Sequence, residues 1–205
     1  MLQAGACLKI ARCLDLAPAG GSFTRNASWT LANFCKGRPT ADFELIRPCI
    51  PSLTKVLIEN NTEEILTDIV WAFSYASDEG GDERLSEYVN CNAVPRLIQL
   101  LGHPSVAISV PCLRTLGNIL TGNDEIAEKA IEAGVLEAFH KMLDHQKKEI
   151  RKEICWSISN VTAGNPDQIQ KCIDIGLISN LIKHAQQDTE EIRAEAVWAI
   201  SNSTS

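Results

Sequence analysis

WSISN (156–160) recurs 42 residues later as WAISN (198–202), and three related pentapeptides lie upstream at nearly the same spacing. These are WTLAN (29–33), WAFSY (71–75) and RTLGN (114–118). All four tryptophans of the chain fall in the first column, where the third segment has Arg114 instead. Four residues later comes an asparagine, except in the second segment, which has Tyr75. A fixed period of about 42 residues predicts a helical solenoid whose repeats pack on their neighbours.

The best-preserved repeat predicts three helices. Apolar residues recur there at helical spacing in three successive stretches, 124–133, 135–145 and 150–163. Gly134 allows a sharp turn between the first two stretches, and Gly176 and Asn92 lie 42 residues after and before it. The predicted fold class is therefore all-α: an armadillo-repeat, right-handed superhelical solenoid with about three helices per 42-residue repeat.

The same pattern predicts the domain organisation. We expect residues 1–205 to form a single armadillo-repeat array, because a solenoid is one continuous body. Met1 falls where a second helix begins, and Ser205 follows directly on the last asparagine of the column. We therefore expect a fragment that is incomplete at both ends. Residues 1–24 are expected to be irregular, because a proline and two glycines fall in the stretch 14–24.

Bulk composition narrows the class of partner. The eight cysteines form no CxxC pair and lie mostly in apolar helical stretches, which favours buried thiols over disulfides or metal ligands. The net charge of −7 disfavours nucleic acid and favours a basic partner. No apolar stretch approaches the roughly 18 residues of a membrane span, so we expect no membrane insertion.

The sequence does not predict an enzyme. None of the four histidines, which are His103, His140, His145 and His184, has a second histidine or a cysteine one helical turn later. There is also no Cys–His pair and no phosphate-cradling loop. We expect no catalytic residue, no metal site and no cofactor.

Two interpretations of the tryptophan column compete. In the first, the rings are inter-repeat core, since tryptophan is usually largely buried. In the second, they bind a ligand, because an asparagine is a costly core residue while its amide offers a donor and an acceptor to a peptide backbone. The second interpretation is favoured, because the other core positions hold interchangeable aliphatic residues while this column keeps one large aromatic.

Helix spacing and charge indicate the ligand. Packed helices lie roughly 8–10 Å apart, and an extended chain rises about 3.3 Å per residue, so one repeat spans two to three ligand residues. Slots between indole rings suit the stems and cationic heads of Lys and Arg. Asp68, Glu153 and Glu195 lie three residues before the column, on the same helix face. Arg114 replaces a ring with a cation and divides the column into two basic-peptide segments.

Five segments of the chain together resemble importin alpha, the armadillo adaptor that carries cargo with nuclear localisation signals. They are RNASWTLANFCKG (25–37), VWAFSYASD (70–78), PCLRTLGNILTGND (111–124), ICWSISNVTAGNPDQIQ (154–170) and AVWAISNSTS (196–205). The resemblance covers residues 25–205 and includes the arginine in the column. It implies that Trp29 belongs to the fourth repeat of the family and Trp198 to the eighth.

The resemblance also implies which residues bind peptide. The minor signal-binding site would be nearly complete, with Tyr75 extending it toward the linker: Arg114, Asn118, Glu153, Trp156, Ser159, Asn160, Glu195, Trp198 and Asn202. The remnant of the major site would be Trp29, Asn33 and Trp71. The implied function is that of a nuclear localisation signal-binding adaptor in nuclear import, present in cytoplasm and nucleus. The alternative is another armadillo interaction scaffold without signal-peptide specificity.

The chain departs from the family pattern in several places. Nothing in it resembles the basic segment that binds importin beta in the full-length family. The C-terminal repeats linked to export-factor binding are also missing from the pattern. Residues 6–24 match poorly, and the loop at 79–81 carries one extra residue.

Overall fold

A computed structural model describes residues 1–18, 20–37 and 41–204 of the chain, and the described residues are helical and contain no strand. Two compact units are present, Met1–Thr115 and Leu116–Ser205. After a 3₁₀-helix at Leu2–Ala4, the first unit contains α1 (Ala6–Leu16), α2 (Gly21–Cys35), α3 (Phe43–Ile46), α4 (Cys49–Glu59), α5 (Glu63–Ser77), α6 (Asp82–Asn90), α7 (Val94–Leu101) and α8 (Val106–Ile119), which ends beyond the boundary. The second unit contains α9 (Asp124–Glu132), α10 (Val135–Met142), α11 (Lys148–Thr162), α12 (Pro166–Asp174), α13 (Leu177–Gln187) and α14 (Glu190–Asn202).

Three helices make one repeat, which confirms the predicted armadillo solenoid. The repeat predicted from 124–163 consists of α9, α10 and α11, and the next consists of α12, α13 and α14. Third helices of consecutive repeats pack against one another, α2 on α5 in the first unit and α11 on α14 in the second. The tryptophan column therefore lies on helices that also form the junctions between repeats.

The turn between the first and second helices has the predicted chemistry. Gly134 and Gly176 adopt φ values of 94° and 86°, in the left-handed region that favours glycine. Asn92, at the corresponding position of an earlier repeat, has φ 62°, a conformation that asparagine tolerates better than most residues. The 42-residue spacing of these three residues therefore reflects one backbone conformation repeated.

Asparagine side chains begin the first helices of the second unit. The side-chain oxygen of Asn123 accepts a hydrogen bond from the backbone N–H of Ile126, and Asn165 accepts one from Gln168, both at 3.1 Å. These bonds satisfy backbone donors that the helix itself cannot pair. The segments TGN and AGN are thus turns that end one helix and cap the next.

The expectation that residues 1–24 are irregular is wrong for most of this segment. Ala6–Leu16 forms α1, and α2 already begins at Gly21. Cys7, Ala11 and Leu14 recur at intervals of four and three residues and are buried on one face, which gives the helix a core to pack against. The break between the two helices is confined to residues 17–20, of which Ala19 lies outside the described residues.

Most of the cysteines are buried, as predicted. Cys13 is exposed and Cys91 is half-buried, while the six others are buried and all eight are free thiols. Within the described residues, no helix has the length and apolar character needed to cross a membrane.

Candidate functional site

The tryptophan column lies at the surface of both units. Trp29 and Trp198 expose 60% and 61% of their area, and Trp71 and Trp156 are half-buried. By contrast, the residues directly before and after Trp71 in α5 are fully buried. This exposure favours the ligand-binding interpretation of the column over the core interpretation. We call Trp29 and Trp71 the first ladder, and Trp156 and Trp198 the second ladder.

The column asparagines join neighbouring repeats. In the second unit, Nδ2 of Asn160 donates to the carbonyl oxygen of Gly117 at 3.1 Å, and Nδ2 of Asn202 donates to that of Ser159 at 3.0 Å. Each acceptor lies three residues after the column of the preceding repeat. An amide has two N–H donors and an oxygen that can accept two hydrogen bonds, so this bond uses one of its four hydrogen-bonding positions. The sequence predicted a peptide contact for these residues and missed their bond between repeats.

Asn33 and Asn118 differ from this arrangement. Nδ2 of Asn33 donates to the carbonyl oxygen of Trp29 in its own helix at 2.8 Å. Asn118 is only 6% exposed, so its amide is the least accessible of the column. Asn160 and Asn202, which follow the two tryptophans of the second ladder, are thus held by the same hydrogen bond to the preceding repeat.

Gly117 positions the second ladder. A Cβ atom at Gly117 would lie 2.3 Å from Cζ3 of Trp156 and 2.6 Å from Oγ of Ser157, which is closer than any real contact. Only glycine therefore leaves room for the Trp156 ring at this junction. The same residue supplies the carbonyl oxygen for Asn160. Sequence reasoning missed this role, because the glycine in RTLGN resembles an ordinary small residue.

Carboxylates stand beside both ladders. Partial burial raises the pKa of Glu195 and is the largest cause of the shift. The positive charge of Lys152 lowers this pKa, and the negative charge of Glu153 raises it further. Burial also raises the pKa of Asp68, where Arg25 opposes the shift and Glu64 adds to it. A partly desolvated carboxylate with a like charge nearby is stabilised by any cation that approaches it. The three acids predicted from sequence therefore provide favourable surroundings for Lys or Arg side chains.

Ion pairs recur at the same positions of two junctions. Nη1 of Arg25 lies 2.9 Å from a carboxylate oxygen of Glu64, and Nζ of Lys152 lies 3.2 Å from Glu191. In both pairs the basic residue lies four residues before the tryptophan of its own repeat. The acidic residue lies seven residues before the tryptophan of the next repeat. Sequence reasoning missed these pairs, because the second residue belongs to a different helix.

Clefts lie against both tryptophans of the first ladder. One, of about 680 Å³, lies beside Trp29 and is lined by Arg25, Glu63, Glu64 and Asp68, among others. The other, of about 460 Å³, is lined by Trp71, Tyr75 and Arg114, together with Lys36 and Asp78, which the sequence analysis had not selected. The rings of Trp71 and Tyr75 stack at a centroid distance of 5.6 Å. Arg114 is exposed, so a cation faces solvent where the other repeats present a ring.

In the part of the chain that the structure describes, no group of three or more His, Cys, Asp and Glu residues could hold a metal ion. His184 is buried between Asp144 and Asp188, and Asp188 also forms a bidentate pair with Arg151. This cluster joins α11 to α13.

These observations define the fold class: the described helices form an armadillo-repeat solenoid. The armadillo/beta-catenin-like repeat family matches residues 87–121 and 123–163. Among solved structures, a designed armadillo repeat protein in complex with the peptide (KR)4 is similar over 98% of this chain and 83% of its own, with 29% identity and a TM-score of 0.86. A computationally designed armadillo repeat protein for modular peptide recognition shows 28% identity and a TM-score of 0.86, over the same shares of the two chains.

Natural relatives narrow the comparison to importin alpha subunits. Importin subunit alpha-1a of Oryza sativa subsp. japonica and importin subunit alpha-3 of Arabidopsis thaliana are each 50% identical over 103 residues. Importin subunit alpha-B of Dictyostelium discoideum is 48% identical over 102 residues. In all three the match covers 50% of this chain and 19% of the relative. The chain therefore resembles importin alpha over half of its length and matches about a fifth of these relatives.

Proposed function

We propose that this chain binds extended Lys/Arg-rich peptides through its tryptophan ladders, as an adaptor for nuclear localisation signals in protein import into the nucleus. The main observation in support is that an indole ring is repeatedly exposed beside a partly buried carboxylate. An enzyme would need converging catalytic groups, whereas the ladders offer rings, amides and carboxylates. The proposal involves no chemical transformation and no cofactor.

The second ladder is the better-equipped half of the proposed site. Trp156 and Trp198 are accompanied by Glu153 and Glu195 and by two identically held asparagines. The free oxygen and the second N–H of each amide suit an extended peptide backbone, which presents alternate donors and acceptors. Lys and Arg side chains of the peptide then lie against the indole faces, with their charges near the carboxylates.

In the first ladder, the cleft at Trp29 would hold a second basic cluster of the same class of ligand. Trp29 and Asp68 face one cleft, and Trp71 lies in another beside Tyr75 and Arg114. The cation of Arg114 disfavours a basic residue there, so we assign that cleft to the less basic linker of a two-cluster peptide. We propose Trp29, Asn33 and Trp71 as the remnant of the major site, with Ser159, Asn118, Arg114 and Tyr75 completing the minor one.

Two resemblances support the class of ligand and the pathway. The designed armadillo repeat protein described above was solved with (KR)4, an alternating basic peptide. The natural relatives are importin alpha subunits, which supports a place in nuclear import and a distribution between cytoplasm and nucleus.

Fluorescence anisotropy with labelled (KR)4 tests the proposal. Removing both rings of the second ladder by Trp156→Ala/Trp198→Ala should weaken binding about five- to thirty-fold, because each exposed cation–π contact contributes about 0.5–1 kcal/mol. The matched control is Phe23→Ala, an exposed aromatic outside the ladders, which should bind like the wild type. Equal affinities for the double variant and the wild type would refute the assignment.

A further inference from the structure

We propose that Arg25 and Lys152 are internal competitors of the ligand: each places a positive charge of the chain itself among the acids of a tryptophan ladder, and a basic peptide must displace it. This role rests on the proposed function, because it concerns the affinity of the same site for the same class of peptide. It adds two residues that weaken binding to those that favour it.

In the first ladder, the basic residue lies in the cleft of the tryptophan. Arg25 and Glu64 form an ion pair of 2.9 Å, and both line the cleft of about 680 Å³ beside Trp29. Asp68 lines the same cleft, one helical turn after Glu64. Burial raises the pKa of Asp68, and the positive charge of Arg25 opposes that shift. Arg25 therefore already provides, inside the cleft, the kind of charge that a basic peptide would bring.

The second ladder repeats this arrangement. Nζ of Lys152 lies 3.2 Å from Oε2 of Glu191 and donates a hydrogen bond to it. Glu195 follows Glu191 by one helical turn, and the charge of Lys152 opposes the rise that burial causes in the pKa of Glu195. Glu195 lies three residues before Trp198. The cation of the chain therefore lies beside the acid that the peptide is expected to use.

The combination of base and acid is confined to the two pairs of repeats that join one tryptophan to the next. In the two intervening pairs of repeats, the same sequence positions hold no base: Thr67 with Ala107, and Val110 with Glu149. An ion pair needed only to hold consecutive third helices together would be expected in every pair of repeats. Its restriction to the ladders therefore favours a role in ligand binding.

The ladder ion pairs are exposed enough to be exchanged. The side chains of Lys152 and Glu191 are 43% and 65% exposed. Those of the neighbouring pair, Arg151 and Asp188, are only 17% and 8% exposed. An exposed ion pair contributes little to stability, whereas breaking a buried pair leaves an uncompensated charge. A cation of the ligand can therefore replace Lys152 at Glu191 while the pair of Arg151 keeps the helices in place.

Removing the charge of Lys152 should tighten peptide binding. In fluorescence anisotropy at about 0.15 M salt, labelled (KR)4 should bind Lys152→Met about two- to five-fold more tightly than the wild type, because the peptide no longer displaces an exposed ion pair. Methionine keeps the unbranched stem and the helix propensity of lysine. Lys152→Arg keeps the charge and should bind like the wild type. A residue that only held α11 to α14 would give the opposite sign, since its loss would loosen the ladder.

The matched control is Lys148→Met, which removes the same charge from the same helix one turn farther from Trp156. This variant should change the affinity less, because salt screens more distant charges. The double variant Lys152→Met/Glu191→Gln restores the net charge of the pair and should return nearly to the wild-type affinity.

The pKa of Glu195 in the peptide-free chain provides a readout that does not depend on binding. Burial raises this pKa and the charge of Lys152 lowers it, so a nuclear magnetic resonance titration should show a higher pKa of Glu195 in Lys152→Met. If the wild type bound no (KR)4, the proposed function and this role would fall together. If the wild type bound (KR)4 and Lys152→Met bound it equally or more weakly, or if the pKa of Glu195 did not change, the role of Lys152 alone would be overturned.

Discussion

Replacing Gly117 with alanine tests whether this residue makes room for the second ladder. At an unhindered position inside a helix, Gly→Ala stabilises by about 1 kcal/mol, because alanine loses less backbone entropy. Here the added Cβ would lie 2.3 Å from the Trp156 ring and 2.6 Å from Oγ of Ser157. A rigid indole cannot yield as a flexible side chain can, so the ring or the junction must shift.

The sign of the stability change follows from comparing the cost of overpacking with the gain in helix propensity. Overpacking of this kind costs about 1–3 kcal/mol, which outweighs the helix-propensity gain of about 1 kcal/mol. We predict that Gly117→Ala lowers the free energy of unfolding by about 1 kcal/mol, measured by urea denaturation. Because Trp156 is displaced, affinity for (KR)4 should fall as well.

A matched control separates the steric effect from propensity. Ser201 lies at the same position of the last repeat and is exposed, so Ser201→Ala should change stability by less than about 0.5 kcal/mol. If Gly117→Ala instead stabilised the chain by the full propensity gain and left peptide affinity unchanged, the close contact with Trp156 would have no energetic meaning. The reasoning on ladder positioning would then be refuted.

Further predictions concern charge and thiol reactivity. The hydrogen bonds from Arg151 hold the pKa of Asp188 far below its ordinary value, so Asp188→Asn should destabilise the second unit by about 3 kcal/mol at neutral pH. Because the pKa of Asp188 is depressed in the folded chain, its stabilising effect is full above the unfolded pKa of about 4 and is lost progressively as the pH falls toward the folded pKa. The difference in stability between the two proteins should shrink over that range, and a difference that stays constant would contradict this. A thiol reagent should modify Cys13 first and Cys91 more slowly, because the other thiols are buried and burial raises the pKa of Cys155 and Cys172 to about 12; rapid loss of several thiols would argue against the described core. Raising ionic strength should weaken (KR)4 binding, because the ladder carboxylates are only partly buried; salt-insensitive binding would show that these carboxylates do not contribute to it.

Periodicity alone predicted much of the fold, because equivalent residues occupy equivalent faces. The left-handed turn residue recurred at 92, 134 and 176, and the three-helix plan followed from apolar spacing. The expected irregularity of the first 24 residues was wrong because proline and glycine were given more weight than the buried face of α1. Helix ends at Leu16 and Gly21 accommodate those residues within a short connection.

The ladder could be predicted only in part, because its geometry depends on contacts between repeats. Exposure of the tryptophans agrees with the binding interpretation. The hydrogen bond from Asn160 to Gly117 and the ion pair of Lys152 with Glu191 join residues about 40 positions apart. Such pairs depend on how two helices align, which the sequence of one helix does not determine.

The most direct test of the central claim is to locate a bound basic peptide on the chain. A (KR)4 peptide that carries a nitroxide label would broaden nuclear magnetic resonance signals of nearby protons. We predict that the indole N–H signals of Trp156 and Trp198 lose intensity, and that an uncharged peptide with the same label leaves them unchanged. If both indole signals kept their intensity while the labelled (KR)4 broadened other regions of the chain, the tryptophan ladder would not be the binding surface.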